Sequence, residues 1–79
     1  MTQTPEDARR TAELKKLETI VNDRELDGKI RNHAIDVLGD MADHEALLVL
    51  LSIVANDKLG IDERELALKR ARDIIKKGR

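Results

Sequence analysis

Between Glu45 and Asn56 the chain reads EALLVLLSIVAN, and nine apolar residues with one serine fill positions 46–55. Elsewhere the apolar positions are spaced. Leu14, Leu17, Ile20 and Val21 fall on one side of a helix, with Ala8 earlier, while Arg9, Arg10, Lys15, Lys16 and Glu18 take the other sides. Thr4, Pro5 and Asp7 have the form of an N-cap, a first-turn proline and a carboxylate at the third position, so a first helix is expected to run to Val21 or Asn22. Residues 1–12 read as a solvated, frayed extension of it. NDRELDG is a turn by composition, with Asp27 placed to cap the next helix and Leu26 to form the outer half of a hydrophobic staple. The second helix spans Gly28 to Met41 and presents Ile30, Ala34, Ile35, Val37, Leu38 and Met41, with Gly39 weakening its last turn.

In GDMADHEA, Asp40 or Asp43 caps the third helix, and so short a connection makes helices two and three antiparallel neighbours. After NDKLG, Asp62 with Glu65 three residues later resembles a capping box, and a fourth helix continues to Lys77 with Gly78 as its stop. The expectation is an all-α single domain of four helices in two antiparallel hairpins.

Laid on itself at an offset of 33, the chain aligns Leu14 with Leu47, Leu17 with Leu50, Ile20 with Ile53, Val21 with Val54, Leu26 with Leu59, Arg31 with Arg64, Ala34 with Ala67 and Asp40 with Asp73. Generic amphipathic helices share leucines by chance, but here the turn, the arginine and the alanine keep register as well, which reads as a duplicated helix hairpin covering 14–42 and 47–77.

Residues 14–75 resemble HEAT-like repeats, particularly the short subclass named after phycobilisome lyases. The residues that carry the likeness are Asn22 and Asp23 in the turn, Arg31 opening the second helix, Ala34, Leu38 and Gly39, then Asp40 and Asp43. In the second copy they are Asn56 and Asp57, Arg64, Ala67, Ala71 and Asp73. The resemblance implies a binding scaffold, built as a fragment of an α-α superhelix or closed into a compact four-helix bundle. It does not carry over the chromophore lyase activity of a few much longer relatives. Three departures stand out: a longer inter-helix turn, Glu63 where an apolar residue precedes the arginine, and Arg72 in the place of Gly39. Solenoids usually stack three or more units, and this chain has two.

The copies differ most in their first helices. Lys15, Lys16 and Glu18 become Leu48, Val49 and Leu51, so the third helix lacks a wet face. The plainer expectation is that helices one, two and four cover it nearly all round. The sharper one is a protein or self-association surface on Leu47, Leu48, Leu51 and Ala55, as an uncapped two-unit solenoid requires.

Composition adds mainly exclusions. Seventy-nine residues form one small domain with a small core. Absence of cysteine removes disulfides and thiolate metal sites, the polar opening MTQTPEDARRTAELKK has no export signal, and the cytoplasm is the default location. The apolar run is half the ~20 residues needed to cross a bilayer, so no membrane is expected. With 15 basic against 16 acidic side chains there is no global field for nucleic acid. The end of the chain is locally basic, however, and Lys69, Arg70, Arg72, Lys76 and Lys77 form a candidate anion patch. The simpler view is that they complement the negative end of helix four. The lack of aromatics argues against single-strand recognition, and carboxylates at the start of helix four, DERE, argue against a helix-turn-helix.

Chemistry is sparse. Ser52 is the only serine and is expected to bond its own helix backbone. His33, aligned with Leu66, is expected at the edge of the core, and His44 in the first turn of helix three; they have no metal-ligand spacing. Neither a catalytic residue nor a cofactor is expected. The paired carboxylates Asp40 with Asp43 and Glu63 with Glu65 read as caps and first-turn charges. Arg31 and Arg64 read as structural, reaching back toward the turns of Asp23 and Asp57. The partner implied is another protein or a second copy, with an anion binder as the alternative. The regular repeat also allows a designed or consensus helical protein without native function.

Overall fold

The computed structural model describes the backbone of residues 5–77 and the side chains of residues 8–77. They form four helices, α1 (Pro5–Asn22), α2 (Gly28–Met41), α3 (His44–Val54) and α4 (Ile61–Lys77), and no strand occurs among the described residues. Thr4 and Gly78, the expected cap and stop, lie outside the described residues.

The helix starts follow cap chemistry, with two differences from expectation. Asp27 caps α2 as expected, its carboxylate accepting from the Lys29 N–H at 3.3 Å. Asp43 rather than Asp40 caps α3, accepting from the Ala46 N–H at 2.7 Å. Asp43 also receives Arg10 from α1, so one carboxylate serves as a cap and as an ion-pair anchor. Helix α4 begins at Ile61, before Asp62, and the cap position falls to Gly60, whose carbonyl accepts from the Arg64 N–H at 3.1 Å. Asp62 is left as a first-turn charge.

The helices pack in two layers, α1 beside α3 and α2 beside α4, with α2 also touching α3 across the centre and no contact between α1 and α4 among the described residues. The smallest overall dimension, 18 Å, is that of two stacked helices of roughly 10 Å each. The core is aliphatic throughout. Leu17, Val21, Ile35, Leu38, Leu50 and Ile53 are buried in it, as are the alanines Ala34 of α2 and Ala67 and Ala71 of α4. Buried alanines on both helices are suited to the close approach of α2 and α4, which are in direct contact.

The plainer expectation for helix three is overturned. Leu48 is 53% and Leu51 41% exposed, because with only four helices in two layers nothing remains to cover the outer side of α3. His33 is corrected too. It is exposed rather than packed at the core edge, while the aligned Leu66 is half-buried against the first hairpin. Among the described residues no helix packs over His33 as the first hairpin packs over Leu66.

Between α2 and α3, Ala42 adopts φ 53 and ψ 29, the left-handed conformation, and donates its N–H to the Leu38 carbonyl at 3.4 Å. This is the helix-end position that glycine usually fills, and a Cβ there is strained. Ala42→Gly should therefore stabilise the fold by about 0.5–1 kcal/mol, read as a raised urea midpoint at unchanged slope. A lowered midpoint would show that the alanine methyl packs more than it strains.

Candidate functional site

Two features of this fold bear on function: the junction between the hairpins and the face left open beyond it. At the junction, the interhelix turns carry the same bonds 33 residues apart. Asp23 N–H donates to the Ile20 carbonyl at 3.2 Å and Asn56 N–H to that of Ile53 at 3.1 Å; Leu26 N–H donates to Asp23 and Leu59 N–H to Asn56, both at 3.2 Å. The side chains agree, since Asp23 accepts from the Glu25 N–H and Asn56 from the Lys58 N–H, each at 3.0 Å. Asn56, not Asp57, is thus the counterpart of Asp23. The Asp57 side chain is 95% exposed and only 3.9 Å from Arg64. Asn56 also reaches across the junction, donating through Nδ2 to Asn22 Oδ1 at 3.0 Å.

The two arginines hold the turns through backbone oxygens. Arg31 Nη1 donates to the carbonyls of Leu26 at 2.9 Å, Arg24 at 3.2 Å and Asp23 at 3.5 Å. Arg64 Nε donates to the Val54 carbonyl at 3.0 Å. Arg31 has a further partner that explains the most conspicuous departure from the repeat pattern. Its Nη2 donates to Glu63 Oε2 at 3.0 Å, and Glu63 is a buried charged residue of the second hairpin. Where the first hairpin has the exposed Ile30, the second places a carboxylate against the preceding hairpin's arginine. The hydrogen bond from Arg31 holds the Glu63 carboxyl below its ordinary value of 4.5, against the opposing effect of burial, with further pull from the N–H groups of Glu63 and Gly60. Arg24, Arg31, Lys58 and Glu63 line an open cleft of about 410 Å³ at this junction.

The open face lies at the opposite side of the second hairpin. The residues that α3 and α4 place on the first hairpin, Ile53, Leu59, Glu63 and Ile74, are buried. The aligned residues of the first hairpin that the second covers, Leu14, Val21 and Ile35, are buried as well. Their counterparts in the second hairpin, Leu47, Val54 and Leu68, are only half-buried. Around them stand Leu51, Ile61 at 68% and Ile75 at 51% exposure. Val54, Ile61 and Leu68 with Arg64 and Glu65 line a shallow groove of about 180 Å³. Of the residues expected at an interface, Leu47 and Leu51 lie on this face. Leu48 instead lines a groove against Thr11, Lys15 and Glu18 of α1, and Ala55 is exposed at the end of α3. The sequence reading missed Val54, Ile61, Leu68 and Ile75. The seven-residue recurrence of 61, 68 and 75 was the signal.

The basic patch is smaller than the sequence suggests. Arg70 turns toward α2, where it meets Asp40 at 2.7 Å and Asp36 at 4.0 Å, with Asp73 on its own helix at 3.9 Å. It lies over Gly39, where any Cβ would collide with the guanidinium. Lys69, Arg72, Lys76 and Lys77 remain exposed. Ser52 Oγ donates to its own helix at the Val49 carbonyl, 2.7 Å away. His33 and His44 are exposed on different helices, and among the described residues no group of three or more His, Asp or Glu side chains gathers as a metal site. No described helix is long and apolar enough to cross a membrane. Comparison with family models, curated proteins and solved structures returns no match to this chain.

The junction generates a pH prediction. Because the folded Glu63 titrates below its unfolded value, its stabilisation is complete above about pH 4.5 and is lost as pH falls through the folded value. Glu63→Gln should cost about 1–3 kcal/mol at pH 7, since it leaves a half-buried guanidinium short of its anion. The variant should also lose less stability than the parent on acidification below pH 4.5. Equal acid slopes by urea titration would place the pH dependence elsewhere.

Proposed function

We propose that this chain is a non-catalytic, HEAT-like protein-interaction module, working without a cofactor in the cytoplasm, whose binding surface is the outer side of its second hairpin. One observation carries this reading: α3 and α4 leave Leu51, Ile61 and Ile75 in water on a face whose first-hairpin counterpart is sealed by packing. A large exposed apolar patch is costly in a small protein and marks a surface that a partner covers. The matched turn bonds and the eight aligned identities support the HEAT-like description, because each unit of such an array leaves one face for the next. The anion-binding alternative loses its best-placed guanidinium, since Arg70 is already held by carboxylates.

A photo-crosslinking side chain placed at Leu51 in cells should give discrete adducts on irradiation, and the same group at the exposed Glu25 should not. Adducts that are equally abundant at both positions, or missing at Leu51, would remove the support for this surface.

A further inference from the structure

We infer that the occupant of the open face is a second copy of the same chain, related by a two-fold axis near Leu68 with the two α4 helices antiparallel. This rests on the protein-binding reading above and names its partner. The outward stripe of α4 runs Ile61, Glu65, Leu68, Arg72, Ile75, at steps of four, three, four and three, so all five positions share one side of the helix. Ile61, Glu65, Arg72 and Ile75 are exposed and Leu68 is half-buried. The stripe is a palindrome in shape and a mirror in charge. Reversed upon itself about Leu68, it sets Ile61 of one copy against Ile75 of the other. Glu65 comes to within one residue, about 1.5 Å along the axis, of register with Arg72, a gap these long side chains span, and each pair occurs twice. Such self-complementarity is what a two-fold interface requires. From α3, Leu47, Leu51 and Val54 extend the apolar area beside the stripe.

The other way of covering this face, with the first hairpin of a further copy stacked head to tail, is poorly matched. It would bring Glu13 to the place that the fully buried Ala46 takes at the internal junction. It would also set Arg72 against Val37 where the internal junction sets Gly39 against Arg70, so that the guanidinium's gap and its carboxylates are not repeated. The isologous pairing meets neither obstacle.

The size of the face sets the strength. Helix α4 has 17 residues, about 25 Å at 1.5 Å each. Across the 18 Å depth of the molecule that gives roughly 450 Å² per copy, below the ~800 Å² per partner of a standard stable interface. A reversible dimer with a micromolar dissociation constant is expected.

Sedimentation equilibrium of the intact chain from about 5 to 500 µM tests this. The parent should show a monomer–dimer equilibrium. Ile61→Glu and Leu68→Glu should be monomeric with unchanged helical circular dichroism; Ile61 is so exposed that its replacement leaves the fold intact. Glu65→Arg and Arg72→Glu should each weaken the dimer about fivefold or more, having created like-charge pairs, and the double variant Glu65→Arg/Arg72→Glu should return it close to the parent. Ile30→Glu, on the far side, should change nothing. A monomeric parent throughout, a dimer indifferent to Ile61→Glu, no recovery in the charge-swapped double variant, or growth beyond a dimer that Ile30→Glu abolishes would each overturn the two-fold pairing. A monomeric parent whose Leu51 crosslinker still captures another protein would leave the binding reading standing with a different occupant. Failure of both would remove both.

Discussion

The Arg31 guanidinium is the fastening on which the arrangement of the two hairpins depends. One nitrogen closes the first turn through three backbone carbonyls, and another crosses to the buried carboxylate of Glu63. Breaking such a pair from one side costs more than forming it gains, because the remaining charge is left part-buried. The ion pair therefore acts chiefly on specificity: it fixes which residues of α4 face α2. With that register fixed, Arg70 comes opposite Gly39, and Ala34, Ala67 and Ala71 are buried. In a core without a single aromatic ring, where aliphatic side chains of similar size could slide past one another, a directional contact of this kind supplies what shape alone does not.

The rest of the junction follows the same logic at the surface. Asn22 and Asn56 join the turns at one end, and Arg10 with Asp43 joins α1 to the start of α3. Arg70 gathers three carboxylates over a glycine. These exposed contacts are individually weak, of order 0–1 kcal/mol each for surface pairs. Their effect is to make one relative placement of the hairpins better than its neighbours.

Much of this was legible in the order of residues. The extent of α2, the Asp27 cap and the self-bonded Ser52 follow from spacing and cap chemistry, which are local and survive the transfer from sequence to fold. What was not legible required knowing which elements end up side by side. Asp40 and Asp43 both have cap chemistry on paper, but α2 runs on through Asp40 to Met41, which leaves Asp43 at the start of α3 and Asp40 free to meet Arg70. Glu63 looked like a flaw in the pattern until Arg31 arrived across the junction. His33 was placed at the core edge by analogy with Leu66, but the analogy supposes a covering neighbour, and none of the described helices lies over His33. The candidate surface was half legible: the leucines of helix three announced it, whereas its larger part on α4 was hidden among ten charged residues that dominate that helix's appearance.

The unequal side-chain volumes in the two layers carry a further consequence. Alanines space α2 from α4, while leucines and valines space α1 from α3, so the two hairpins meet as a wedge with its thin edge along α2 and α4. Repeated in one direction, a wedge generates an arc, with the alanine layer on the inside of the curve. Turned about the proposed two-fold axis, it would stop after a single addition. The buried alanines of α2 and α4 thus bear on more than a packing distance: in any array built from such units they would set its radius.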